Sequence, residues 1–292
     1  MFLYHCITIK TKKMKPILFL SIISAFILTS CCDEKNTNAA EQSANQTQLI
    51  DSTNNSEYLT YATLWYQKSA ELQAIYYQNF NLAKLMLDKY IKENRLKLKK
   101  KPRAIITDID ETVLDNSPYN ANLILKGTSY NKETWNAWVN EKRAKALPGA
   151  LEFLKYAQEK GIEIFYISNR NTNEIDPTIE NLKNEHFPFA DKEHMFFKTE
   201  TSDKSIRRNK IAETHEIILL LGDNLRDFDE IFGNRGNDAG FNVTAENKNK
   251  FGSVFIVFPN PMYGEWEKHI YKGNFDKSDA EKKESRRQML IK

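Results

Sequence analysis

The stretch Ala104-Ile-Ile-Thr-Asp108-Ile-Asp110-Glu-Thr-Val-Leu-Asp115-Asn-Ser-Pro-Tyr119 decides how the rest of the 292-residue chain is read. Ala104 to Ile106 is a short apolar run rich in β-branched residues, the pattern of a strand buried on both faces of a parallel sheet. It stops at acid, so the acids belong to the carboxyl end of that strand. Side chains alternate along a strand, which presents Asp108 and Asp110 on one side while Ile109 turns into the core. Ligands of open α/β sheets bind at this end of the strands. An EF-hand loop beginning at Asp108 would need Gly and Glu where Val113 and Tyr119 stand, which disfavours calcium-loop geometry. A plain turn rich in Asp and Thr remains open for the motif taken alone.

The neighbouring segments narrow the choice. Ile162 to Ile167 reads as a second buried strand and ends in Ser168-Asn169-Arg170. Met195 to Lys198 is a short strand, and Ser205 to Thr214 is a helix preceded by Lys204. Ile217 to Leu221 is another apolar strand, ending Gly222-Asp223-Asn224-Leu225-Arg226-Asp227-Phe228. Val254 to Phe258 is the last, running into Pro259-Asn260-Pro261-Met262-Tyr263. Helices fit between them: Leu151, Leu154 and Ala157 share a face, with Pro148 suited to the first turn and Gly161 to the C-cap. Strands alternating with helices predict a doubly wound parallel α/β sheet.

Upstream, Tyr61, Trp65, Leu72, Ile75, Tyr76, Phe80, Ala83, Leu87 and Ile91 recur at three- and four-residue steps. That spacing predicts an amphipathic helical extension over about 58–98, in one piece or two, ended by the basic run Lys97 to Arg103 and Pro102. Asp33 to Ser56 carries almost no apolar side chain and reads as a flexible tether over 31–56. Before it, Met14-Lys-Pro and the apolar run Ile17 to Leu28 have the layout of a secretory signal over 1–30, with Met14 a candidate start. The run is too short to span a membrane comfortably.

A net charge of +3 with both signs interspersed gives no basis for a nucleic-acid partner. The chain has three cysteines, and cleavage before Cys31 would leave only the adjacent Cys31 and Cys32, so no disulfide framework is expected.

Taken together, Asp108-Ile-Asp110-Glu-Thr112, Ser168 after a strand, Lys204 before a helix, and Asp223 with Asp227 after a strand resemble the four motifs of the haloacid dehalogenase phosphohydrolases. The longer runs 105–119 and 218–228 are similar to signatures of the bacterial class C acid phosphatases, the lipoprotein e family. Trp65 to Glu71 looks like that family's N-terminal helix. The resemblance implies a Rossmannoid core with a small helical cap over about 119–147, and an acid phosphatase domain over 57–292. It implies hydrolysis of phosphomonoesters, plausibly 5′-nucleotides, through an aspartyl-phosphate on Asp108, with an acid optimum. Asp110 would be acid and then base, with Ser168 and Lys204 contacting the transferring group. Asp108, the Asp110 carbonyl and Asp223 would hold Mg²⁺, supported by Asp227. That oxygen-donor set suits a hard ion on chemical grounds also.

Trp135 aligns with a residue that stacks on the nucleotide base and Tyr263 with the opposite wall, whereas Trp138 and Trp266 are expected in the core. Arg226, at a place often acidic in relatives, would put a cation near the metal. Thr107 replaces a small apolar residue and is expected to point away from Asp108. The residues before Cys31 resemble a lipobox, implying a lipid on Cys31 and attachment to a bacterial membrane, the outer membrane. The oligomeric state stays open, a homodimer included. A class B-like phosphatase and a non-catalytic surface lipoprotein that binds nucleotides are the competing readings.

Overall fold

The computed structural model describes residues 56–96 and 101–292; the expected signal, the expected lipidation site at Cys31 and nearly all of the expected tether lie outside the described residues. After a 3-10 turn at Glu57–Leu59, the N-terminal extension forms α1 (Thr60–Lys68) and α2 (Ala70–Glu93). The break falls at Ser69, whose backbone is extended and whose hydroxyl accepts the Leu72 amide at 3.2 Å, an N-cap that starts the second helix. α2 ends at Glu93, short of the expected Pro102. The Asn94 amide closes the last ladder bond, to the Tyr90 carbonyl at 3.1 Å, and the Asn94 side chain donates to the same oxygen at 2.8 Å as the backbone leaves the helical conformation.

β1 (Arg103–Thr107) then enters the core, followed by β2 (Leu114–Asp115), α3 (Ser117–Lys126), α4 (Lys132–Glu141) and β3 (Lys145–Ala146). β2 and β3 pair antiparallel, and with α3 and α4 they make up the segment in which the cap is expected. Next come α5 (Ala150–Glu159), β4 (Glu163–Asn171), α6 (Ile175–Asn184), β5 (Met195–Lys198), α7 (Ser205–Thr214) and β6 (Glu216–Gly222). α8 (Phe241–Glu246), β7 (Phe255–Val257), α9 (Glu267–Ile270) and α10 (Asp279–Gln288) complete the described chain. β4 is longer than predicted, which puts Ser168 and Arg170 within the strand.

The main sheet has the order β5-β4-β1-β6-β7 and all its pairings are parallel. β1 therefore lies at the point where the strand order reverses, with β4 on one side and β6 on the other, the crevice in which doubly wound sheets bind ligands. Alternation along the strands divides the core. Ile105, Ile164, Tyr166, Leu219 and Ile256 face the cluster built with α2 and α5. Ala104, Ile106, Phe165, Ile167, Leu220 and Phe255 face a second cluster with Ile211 of α7, Phe228 and Phe232. Both faces are covered, as continuous apolar strands require.

α2 is fastened by aromatic contacts. Phe80 lies 4.5 Å from Phe258 and 5.8 Å from Phe153, ring centre to ring centre, joining α2 to α5 and to the segment after β7. Phe80→Ala is expected to lower unfolding free energy in urea by about 3–5 kcal/mol through lost transfer energy and the cavity left behind. A loss below about 1 kcal/mol would mean that α2 is not clamped to the sheet.

Candidate active site

The tips of β1 and β6 bring acids together. Oxygens of Asp108, Asp223 and Asp227 all lie within 4.8 Å of one another. The backbone ladder sets this height: the Asp108 amide donates to the Leu221 carbonyl and the Phe258 amide to that of Gly222, both at 2.9 Å. Gly222 must lack a side chain, because a Cβ there would overlap the Asp227 carboxylate. Asp227 in turn accepts the Asn224 amide at 2.8 Å in a capping box on the turn Leu225–Asp227.

Lys204, buried ahead of α7, bridges two of these acids, 2.5 Å from Asp108 and 2.6 Å from Asp227. Two arginines of α7 hold the surrounding loops by their carbonyls. Arg207 donates to Ser168 at 2.6 Å, and Arg208 to Arg226 and Asp227 at 3.1 Å. Asn260 fixes Asp223 with a bond of 2.8 Å.

Burial pushes the Asp108 carboxyl up to about 7, with Lys204 pulling it down and Asp227 and Asp110 pushing it up. Burial, then repulsion from Asp227 and Asp108, also raises Asp223 well above the usual carboxylate range. Burial opposes the Lys204 charge, but Asp108 and Asp227 outweigh it and hold the ammonium above its ordinary value. Like charges ~4.8 Å apart repel by about 3 kcal/mol per pair at an effective dielectric near 20. One lysine does not neutralise three carboxylates. Their all-oxygen donor set and excess negative charge fit a hard divalent cation.

Asp110 stands apart from that cluster. Its carboxylate accepts from Arg170, from Asn116 at 2.8 Å and from Ser168 at 3.3 Å. Ser168 is fully buried and lies behind the cavity wall, which at this place is formed by Asn169 and Arg170. Thr107, expected to be inert, is buried and donates to the Asp108 carbonyl at 2.8 Å.

Above the acids opens a cavity of about 750 Å³, lined among others by Asp108, Asp110, Lys204, Asp223, Trp135 and Tyr263. Trp135 and Tyr263 are half-buried and line it without stacking on each other. Tyr119 meets the Trp135 ring edge-on at 5.2 Å and fixes its plane. Trp138 is core as expected, its indole donating to Asn116. Trp266 is not: it stands at the N-cap of α9, at the surface, and is 40% exposed. Arg226 is neutralised by Glu230 at 2.7 Å and Glu265 at 3.0 Å, so it adds little free charge at the acids.

Arg170, Asn116 and Asn260 were not singled out from sequence. Arg170 had a usable signal, since it lies two residues beyond Ser168 on one strand and so shares its side of the sheet. Asn116 and Asn260 sit in loops, where spacing carries no such rule.

Known proteins match this arrangement. The family model described as HAD superfamily, subfamily IIIB (Acid phosphatase) matches residues 22–266. Two crystal structures of the class C acid phosphatase from Bacillus anthracis, one with tungstate bound, are 42% identical. The tungstate structure has a TM-score of 0.74 over 81% of this chain and 98% of that one; the other has 0.75 over 82% and 99%. Acid phosphatase 1 of Solanum lycopersicum is 27% identical over 54% of this chain and 57% of its own. The stem 31 kDa glycoprotein of Glycine max is 27% identical over 54% and 58%. The chain thus spans a little over half the length of these plant relatives. By the extent of the family match and the five-stranded parallel sheet that accompanies it, the chain belongs to the acid phosphatase subfamily IIIB of the haloacid dehalogenase superfamily.

Proposed function

We propose that this chain is a Mg²⁺-dependent phosphomonoesterase that turns over through a phosphorylated Asp108, with 5′-nucleotides as its natural substrate class. The observation that carries this reading is the unequal pairing of two acids two residues apart. Asp108 sits with Lys204 in the acidic cluster, while Asp110 is held outside it by Arg170. One is placed to be a nucleophile and the other to move a proton.

Asp108, Asp223 and the Asp110 carbonyl would hold the ion, with Asp227 in support; when bound, it neutralises negative charge between the carboxylates and the phosphoryl group. A carboxylate oxygen of Asp108 attacks phosphorus and the ester P–O bond breaks. Asp110 delivers a proton to the departing oxygen. It then takes a proton from the water that attacks the aspartyl-phosphate, which breaks the bond to Asp108 and releases inorganic phosphate. Lys204 balances charge on the transferring group. Ser168, whose hydroxyl now faces Asp110 behind the wall of Asn169 and Arg170, would meet a phosphoryl oxygen only where that wall parts on substrate binding.

The half-buried rings of Trp135 and Tyr263 support a flat leaving group such as a nucleobase, since aromatic walls grip any base by its face. We further propose that a lipid on Cys31 displays the domain on the outside of a bacterial membrane, the outer membrane, so that nucleosides are released there. The competing reading is a nucleotide-binding lipoprotein without turnover.

A panel of phosphomonoesters assayed with tether-free protein tests the reading. Asp108→Asn should lower kcat by about 10⁴-fold or more, and a chelator should abolish activity that Mg²⁺ restores. Nucleotide binding by the parent protein with no hydrolysis at any metal concentration would instead leave the binder.

Asp108, Asp223 and Glu111 all carry raised carboxyl values, Asp108 at about 7. An acid with a folded-state value above its unfolded one holds the extra proton in the native state. The metal-free domain should therefore lose stability as pH rises from about 4, the unfolded value, toward about 7. Mg²⁺ competes with those protons, so its stabilising increment should grow over the same interval. Melting temperatures with chelator and with Mg²⁺ check both signs. A chelated protein that gains stability between about pH 5 and 7 would contradict this assignment.

A further inference from the structure

Arg170 is a buried cation that none of the steps above uses. Its side chain is 2% exposed, yet each of its three nitrogens has a partner. Nε reaches both oxygens of Asp110, at 3.1 Å to Oδ1 and 3.2 Å to Oδ2, and Nη2 reaches Oδ1 at 2.7 Å. Nη1 donates to the Thr178 hydroxyl at 2.8 Å, and Nη2 lies 3.5 Å from Asn116 Oδ1. The guanidinium carbon stands 5.5 Å from the centre of the Trp135 ring, within cation–π range. Three independent elements therefore fix the guanidinium: its own β4, Thr178 on α6 and Trp135 on α4.

The two oxygens of Asp110 are not equivalent in consequence. Oδ1 takes Arg170 Nη2 and Nε and also Asn116 Nδ2 at 2.8 Å, which fills its acceptor capacity. Oδ2 takes only two longer bonds, from Ser168 at 3.3 Å and Arg170 Nε at 3.2 Å. Asn116 is itself held, since its Oδ1 accepts the Trp138 indole at 2.8 Å.

We propose that Arg170 is a positioning residue: its fork locks the Asp110 carboxylate so that Oδ2 delivers the proton to the leaving-group oxygen. This rests on the reading of Asp110 as general acid. A lysine would keep the charge but supply a compact ammonium in place of a planar fork, so orientation and not charge is what the exchange removes.

The test is a series of aryl and alkyl phosphates spanning leaving-group basicity, read as kcat/KM, which reports steps through the first phosphoryl transfer. A stable phenolate such as p-nitrophenolate needs little protonation; an alkoxide or nucleoside oxygen needs full protonation. With Arg170→Lys, the loss should grow with leaving-group basicity, reaching about 10- to 100-fold for alkyl phosphates, the range for removing a partner that orients an active group. Thr178→Val keeps the guanidinium and loosens its far anchor, and should steepen the dependence in the same sense by a smaller factor. It keeps the test decisive if the lysine variant folds poorly by thermal unfolding. A loss uniform across the series in both variants, or no loss, would overturn the proposal. Asp110→Asn separates the two layers. If it fails to steepen the dependence, Asp110 is not the acid and the functional reading itself falls. If it does so and the Arg170 and Thr178 variants do not, only the positioning role falls.

Discussion

Neighbouring strands of a sheet lie about 4.8 Å apart, so acids placed at the tips of two adjacent strands cannot avoid one another. That spacing governs the whole site. Asp108 follows β1, Asp223 follows β6, and Asp227 returns to the same place within one short turn. Without a cation the three carboxylates repel, and burial deepens the penalty by removing water. The surrounding structure answers this constraint. Lys204 is inserted between two of the acids, and Arg208 grips the turn carbonyls that would otherwise let Asp227 swing away. Gly222 gives Asp227 the room that a side chain would take.

The cations divide the work according to their shape. A lysine ammonium is a compact point charge with three donors, and one such group can face two carboxylates from different loops. Lys204 does so. A guanidinium is a planar fork suited to one carboxylate held in one plane, and Arg170 meets Asp110 in that way. Neighbouring acids of the same motif thus acquire different environments from the type of cation each faces. Crowding keeps Asp108 in the charged cluster, while Asp110 is tied to β4, the cap and the wall of the cavity.

Much of this was legible in the chain. The five strands of the main sheet announced themselves as short apolar runs, and three lead directly to residues the site uses: Asp108, Asp223 and Asn260 lie just beyond β1, β6 and β7, while Ser168 lies inside β4. β2 and β3 were not legible, because two residues are too few to show a period. Nor was the true end of α2, where the Asn94 side chain adds a second bond to the Tyr90 carbonyl at the C-cap, a local contact that apolar spacing does not show. Trp266 misled because aromaticity suggests burial, whereas its place after the Gly264 turn leaves it at the surface. Arg226 looked like a free cation only because Glu230 and Glu265, which neutralise it, approach through the fold.

The N-terminal helices belong to the same chemistry, though they contribute nothing to the cavity's acids. Glu111, between the two functional acids and the rest of the loop, has φ of +55°, a left-handed conformation that costs a non-glycine residue roughly 1–2 kcal/mol. It turns the chain sharply after Asp110. Three bonds hold it there: its amide to the Leu114 carbonyl at 2.9 Å, its Oε1 accepting the Asn116 amide at 2.9 Å, and its carbonyl accepting the Tyr76 hydroxyl at 2.5 Å. Burial, with the charges of Asp110 and Asp223, pushes its carboxyl well above the usual range. Tyr76 comes from α2, is wholly buried, and is backed by the Tyr66 hydroxyl of α1 and the Phe258 ring. The extension therefore buttresses a strained turn from behind, and the direction in which Asp110 points depends on a helix that never reaches the cavity floor.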